Sequence, residues 1–215
     1  MFLIVTPIAT INRNNMYMIS MRAGIFCCIL LLPACGSSRK AAAPEGGVIF
    51  VESTPSKEVK DEYSTLKAKY AGYLGVKPER IINIPLYKFI DNWMNTPYLW
   101  GGQDKKGIDC SALMQLLLDS VYAIKIPRTS VQQFYTFWID KFRSTKHLSE
   151  GDLIFFKTIG ENVVSHVGLY LDNGMFINSS SSKGVSIASI NDPYWRSRLV
   201  GAGRINISLL PDRNP

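Results

Sequence analysis

Between Lys57 and Gly72 polar and apolar positions recur at helical spacing, with Val59, Tyr63, Leu66 and Tyr70 close to one face. This predicts a first helix, stopped by Gly72 and Gly75. A second stripe of Leu86, Ile90, Trp93 and Met94 predicts a helix from Pro85 to about Asn95, ending ahead of Pro97 because the residue before a proline disfavours the helical conformation. The composition from Asp109 to Leu118 favours a third helix, Cys110 to about Tyr122. Downstream, Asp152 to Lys157, Val164 to Leu171, Gly174 to Ile177 and Gly184 to Ser189 are β-formers separated by turn residues, and Leu199 to Ile205 reads as a last strand. Helices followed by an antiparallel sheet give an α+β fold. There is no internal repeat.

The N-terminal stretch has a different pattern. Arg22 precedes an apolar run from Ala23 to Leu32, long enough for a signal segment and too short to span a bilayer. It ends Leu32-Pro33-Ala34-Cys35-Gly36, which resembles the lipobox of bacterial lipoproteins, with Cys35 acylated as the mature N-terminus. An ordinary secretory signal or a buried apolar segment is the alternative. Met16, Met18 and Met21 offer later starts. The expected organisation is a signal peptide with lipobox over 1–34, a lipidated tether over 35–56, a helical extension over 57–84, the main folded domain over 85–207 and a tail over 208–215. The expected location is the cell envelope, anchored to a membrane through Cys35 on the periplasmic face. Gly36, lacking an acidic retention residue, points by resemblance to diderm sorting rules to the outer membrane.

The chain has 215 residues, 47% apolar and 11% aromatic, enough for one well-filled core. Its formal charge of +7 is scattered along the sequence, not gathered into a stripe with interleaved aromatics, so no nucleic-acid partner is expected. A monomer is expected, without metal or cofactor.

Cysteine usage narrows the chemistry. Cys27 and Cys28 leave with the signal and Cys35 carries lipid, so Cys110 is the single thiol of the exported fold. It opens the third helix, where unpaired amides and the macrodipole favour a thiolate. A small core residue is the plain alternative. Of the two histidines, His147 lies in a polar stretch and reads as a solvated loop residue. His166 begins the strand Ser165-His166-Val167-Gly168-Leu169-Tyr170, whose alternation puts His166, Gly168 and Tyr170 on one face. A base on a rigid strand facing the nucleophile helix is what a cysteine dyad requires, a satisfied core histidine being the alternative. Asn178 is the candidate for fixing the imidazole tautomer. A hairpin at Asp172-Asn173-Gly174 sets residues 166 and 178 opposite one another or on a close diagonal.

These residues sit within five motifs in order: Pro97-Tyr98-Leu99-Trp100-Gly101-Gly102, Asp109-Cys110-Ser111, Pro127-Arg128-Thr129-Ser130, Gly151-Asp152-Leu153-Ile154-Phe155-Phe156 and His166-Val167-Gly168-Leu169-Tyr170. Together they resemble the NlpC (p-sixty) family of cell-wall cysteine peptidases, from about Pro85 to Ile205. The resemblance implies a papain-like α+β fold, the nucleophile helix packed on a curved antiparallel sheet. It also implies a peptidoglycan stem peptide as substrate, cut between the γ-carboxyl of D-glutamate and the diamino acid. By the same resemblance Cys110 matches the nucleophile, His166 the base, Asn178 the third polar position and Tyr98 a tyrosine that helps hold the oxyanion. Asp109 and Ser111 match positions that in some members grip the free amine of the stem peptide. Trp100, Arg128 and Ser165, in or beside the motifs, are further candidate substrate contacts. Many members have His where this chain has Asn178, but an amide oxygen can orient imidazole as papain-like enzymes do. No SH3-like module is expected in the remaining residues, which removes one basis for restriction to free-amine fragments. The rival readings are a catalytically silent wall-binding scaffold and a related amide hydrolase or acyltransferase.

Overall fold

A computed structural model describes residues 57–160 and 163–210. The expectations for the signal segment, Cys35 and the tether fall on residues 1–56, outside the described residues, as does the tail from residue 211 onward.

In chain order the elements are α1 (Lys57–Leu74), α2 (Ile84–Trp93), β1 (Gln103–Asp104), β2 (Gly107–Ile108), α3 (Cys110–Tyr122), α4 (Ser130–Tyr135), β3 (Ile139–Phe142), β4 (Leu153–Phe156), β5 (His166–Tyr170), β6 (Met175–Ser180), β7 (Gly184–Ser189), α5 (Pro193–Arg196) and β8 (Leu199–Ile205). Local chemistry sets the helix ends. The Asn83 side chain accepts a hydrogen bond from the Leu86 amide and starts α2 ahead of Pro85. The Asp109 carboxylate does the same for the Ala112 amide at the start of α3, which ends at Ala123 in the left-handed conformation.

The six-stranded sheet has the order β3-β8-β4-β5-β6-β7, all neighbours antiparallel. One face presents Leu153, Phe155, Val167, Leu169, Ile177 and Val185 to Leu113, Met114 and Leu117 of α3 and to α1 and α2. The other carries Ile154, Phe156 and Phe176 under Ile190 and Trp195. Burial on both faces explains why β4 reads as a continuous apolar run, Leu153-Ile154-Phe155-Phe156, without alternation.

The helical extension expected over 57–84 packs into this core. Leu66, Tyr70 and Leu74 of α1 pack in the same cluster as α3 and the sheet. Beyond α1, Arg80 forms a two-pronged ion pair with Asp172 of the β5–β6 turn (2.7 and 2.8 Å), and Asn173 donates to the Leu74 carbonyl. Among the described residues no helix is long and apolar enough to cross a membrane.

Candidate active site

Cys110 is the first residue of α3, and its sulfur lies against the backbone N–H of Val167, with the amides of Ser111 and Cys110 also turned toward it. The loop before it is laced to the β1–β2 hairpin. Ile108 N–H donates to the Pro97 carbonyl (3.0 Å), Gly102 N–H to that of Leu99 (2.9 Å) and Asp109 N–H to that of Gly102 (3.2 Å). Only glycine fits at Gly102, where a Cβ would collide with the Gly107 carbonyl oxygen. This lacing brings Tyr98 beside the thiol. Burial, followed by the negative charge available at Cys110 and Asp109, raises its phenol above the ordinary tyrosine range.

His166 is the first residue of β5. Its face of the strand does not look at α3, as a base opposite the nucleophile helix was expected to: Val167 and Leu169 do, while the imidazole packs against Trp195 (centroids 5.0 Å) and Phe156 (6.0 Å) on the other face. The sulfur instead reaches the strand at the residue next to His166, against the Val167 amide. Register places Asn178 on the diagonal, since Leu169 pairs with Ile177 and Tyr170 with Phe176. The ring Nε2 lies 3.1 Å from Asn178 Oδ1. Asn178 Nδ2 donates to the Ser186 carbonyl (3.1 Å), which turns the amide oxygen toward the ring. An amide oxygen only accepts, so Nε2 carries the hydrogen and Nδ1 is left as the basic nitrogen.

Cys110 and His166 are each 6% exposed, and burial drives both toward their neutral forms. The thiol is pushed up to about 11, chiefly by burial, although the Val167 amide pulls the other way. This corrects the expectation that the helix start makes a ready thiolate. Burial likewise lowers His166 to about 4, with the Asn178 hydrogen bond only partly opposing it. No hydrogen bond joins the sulfur to the ring; the partner of the imidazole is Asn178.

Two adjoining hollows open on this pair. One, of about 690 Å³, is lined by Cys110, Asp109, Ser111, Arg128, Tyr98, Trp100 and Ser165. The other, of about 250 Å³, is lined by His166 and Trp195 and shares Tyr98, Trp100 and Ser165 with the first. Trp100 stands at the rim, 72% exposed. Ser165 is occupied structurally, its Oγ accepting from the amides of Thr158 (2.7 Å) and Ile159 (3.0 Å) and so holding the loop after β4.

Asp109 is fully engaged by the protein. Its carboxylate accepts from both Nη groups of Arg128 (3.0 and 2.7 Å), from Ser111 Oγ (3.0 Å) and from the amides of Ala112 (2.8 Å) and Gly101 (3.1 Å). Burial works against its charge, but Arg128 and the Ala112 amide more than offset this and hold the carboxyl below its usual range. Arg128 also donates to Ser111 Oγ (2.9 Å). Sequence reasoning missed Trp195, the cover over the imidazole, and Ser186, the anchor of Asn178. His147 lies in a short 3-10 turn, Thr145–His147, outside both hollows. Among the described residues no group of three His, Cys, Asp or Glu side chains is placed to hold a metal ion.

A model of the NlpC/P60 family matches residues 95–204, the span that carries all of these side chains. Over 178 residues the chain is 32% identical to murein DD-endopeptidase MepS/murein LD-carboxypeptidase of Escherichia coli (strain K12), the match covering 82% of this chain and 87% of that protein. Gamma-DL-glutamyl hydrolase of Bacillus subtilis (strain 168) is 28% identical over 172 residues, 77% of this chain and 41% of that one. Among solved structures, an NlpC/P60 family protein from Bacillus cereus superposes with a TM-score of 0.51 at 31% identity, over 60% of this chain and 41% of that chain.

Proposed function

The chain belongs to the NlpC/P60 family and has its papain-like α+β fold, and from this premise we propose that it is a cysteine peptidase that hydrolyses peptidoglycan stem peptides. The observation that carries the reading is the clamp on the imidazole: Ser186 orients Asn178, Asn178 takes the Nε2 hydrogen, and Nδ1 is left free to take a proton. An idle scaffold has no need of a histidine held neutral, in one tautomer, beside a cysteine.

In the proposed reaction the thiol and the imidazole start neutral. As a substrate carbonyl approaches, Nδ1 of His166 takes the thiol proton and Sγ bonds to the carbonyl carbon. The oxyanion receives hydrogen bonds from the Cys110 amide and the Tyr98 hydroxyl. The imidazolium then gives its proton to the departing amine as the C–N bond breaks, leaving a thioester. Water, deprotonated by His166, releases the acid and restores the thiol. The relatives named as a gamma-DL-glutamyl hydrolase and a DD-endopeptidase support the substrate class.

The favoured bond is that between the γ-carboxyl of D-glutamate and the diamino acid. A second reading, cleavage of a cross-link, is favoured by the saturation of Asp109. A carboxylate already filled by Arg128 and two backbone amides offers little to a substrate ammonium. The proposal also places the protein in the cell envelope, as a monomer anchored by acylation of Cys35 on the periplasmic face of the outer membrane. Cys35→Ala should release it into the soluble fraction, and persistence in the membrane would refute the anchor. Cys110→Ala should abolish fragment release from purified peptidoglycan, with a loss of roughly a thousandfold or more. Mass spectrometry of the wild-type digest identifies the bond, and undiminished release by the variant would end the peptidase reading.

A further inference from the structure

A cleft of about 830 Å³ lies next to the histidine side of the site, with Arg143, Lys157, Ser197 and Arg198 in its wall. The three cations come from separate places: Arg143 just after β3, Lys157 at the end of β4 and Arg198 between α5 and β8. Two of them are fixed by backbone pairing, since Lys157 N–H donates to the Arg198 carbonyl (2.9 Å). The Arg198 guanidinium lies over the Tyr194 ring, 4.0 Å from its centroid, and donates to the Tyr194 carbonyl (3.0 Å). Lys157 and Arg198 are half-buried, and none of the three cations forms an ion pair with a carboxylate among the described residues. Half-buried cations left without a counter-charge, beside neutral polar groups, make a field that suits an anion.

Position gives the anion its identity. Thr158 lines this cleft and also the hollow that holds His166, Tyr194 and Trp195. In the peptidase reaction the acyl part of the substrate becomes bonded to Sγ of Cys110, while the departing amine collects its proton from His166. The leaving fragment therefore lies over the histidine hollow and runs toward Thr158. We infer that the Arg143–Lys157–Arg198 cleft is a subsite for a free carboxylate on the leaving fragment, so that the enzyme prefers substrates whose departing amino acid is anionic. The inference rests on the peptidase reading and adds a requirement on the far side of the scissile bond, one met by a diamino acid with an unamidated carboxyl group.

The test uses the full chain and two synthetic stem peptides identical except that the leaving residue carries a free or an amidated carboxylate. Wild type should favour the free acid by about tenfold in kcat/KM, expressed in KM and shrinking as salt is added. Lys157→Gln with Arg198→Gln should bring the ratio to about one, Arg198→Lys should restore part of it, and Lys125→Gln, beyond the opposite end of α3, should leave it at the wild-type value. Equal handling of the two peptides by wild type, or a ratio that survives the double substitution, would overturn the subsite. So would a double variant that keeps the ratio but loses binding to vesicles of anionic phospholipid, because the cations would then serve a lipid phosphate. Cleavage that persists in Cys110→Ala instead removes the peptidase reading itself, an outcome separate from any of these.

Discussion

The surroundings of Cys110 and those of His166 are built on opposite plans, although both side chains are 6% exposed. Around the thiol, polar groups converge: the Val167, Ser111 and Cys110 amides, with Asp109 and Arg128 locked together behind them. Around the imidazole there are rings, Trp195 and Phe156, and a single polar partner, Asn178. Burial wins on both sides, since the thiol is pushed up to about 11 in spite of its amides and the imidazole is lowered to about 4 in spite of Asn178. Under the proposed mechanism, the contrast teaches that the polar side is organised for charge that arrives during the reaction, and the aromatic side for keeping a base free of protons until then.

The contrast can be broken most severely at its one polar link on the histidine side. Asn178→Ala frees the ring to rotate and to adopt either tautomer, and kcat should fall about a hundredfold with little change in KM. Asn178→His, which retains an acceptor, should recover most of it. A kcat within twofold of wild type in the alanine variant would remove Asn178 from the site.

On the thiol side, Arg128→Gln leaves the buried Asp109 carboxylate without its guanidinium, and should lower stability by about 2 kcal/mol in denaturant titration. Arg204 provides the matched control. It clasps Asp152 (2.8 and 2.7 Å) at the β4–β8 pairing, remote from both hollows, so Arg204→Gln should cost comparable stability and leave kcat alone. If the two variants lose activity equally at a temperature where both are folded, the Asp109–Arg128 pair has no special tie to the nucleophile.

The smallest effect sharpens the comparison by titration. Only the neutral imidazole can act as base, so the acid limb of kcat/KM should fall near the His166 value of about 4, not near 6.5. Trp195→Ala admits water to the ring, raises its pKa and should move that limb upward by about one pH unit. The same burial affects folding. His166 has a folded pKa below its unfolded one, so on acidification the unfolded chain takes up the proton first. The stability present above pH 6.5 is lost as the pH falls toward 4, by about 3 kcal/mol. An acid limb that stays put in the Trp195 variant would show that the tryptophan does not shield the base.

Much of this was legible in the chain because several signals are local. The α3 start at Cys110 and the hairpin at Asp172-Asn173-Gly174 follow from neighbouring residues, and the hairpin places Asn178 within a residue or so of its position. Strand β3 was missed because it is a short edge, paired only with β8, with Asp140 and Lys141 exposed. The reading of β6 stopped at Ile177 because Asn178, Ser179 and Ser180 look like a turn. They continue the strand, with Ser179 donating to the Ile108 carbonyl (2.7 Å) and Asn178 to that of Ser186. The face on which His166 packs was not legible either. Alternation tells which residues share a face but not which layer covers it, and that layer, α5 with Trp195, arrives almost thirty positions later, a contact made only by the closed sheet.

The sharing of one core by α1 and the sheet bears on where the molecule can be cut. The family match begins at residue 95, but Tyr70, Leu74, Leu86, Tyr87 and Ile90 belong to the same interior as α3. A recombinant fragment trimmed to the matched span would strip the outer wall from α3 and leave Asp172 without Arg80. The smallest piece that can be expected to express as a folded domain therefore starts at or ahead of Lys57, the first residue of α1.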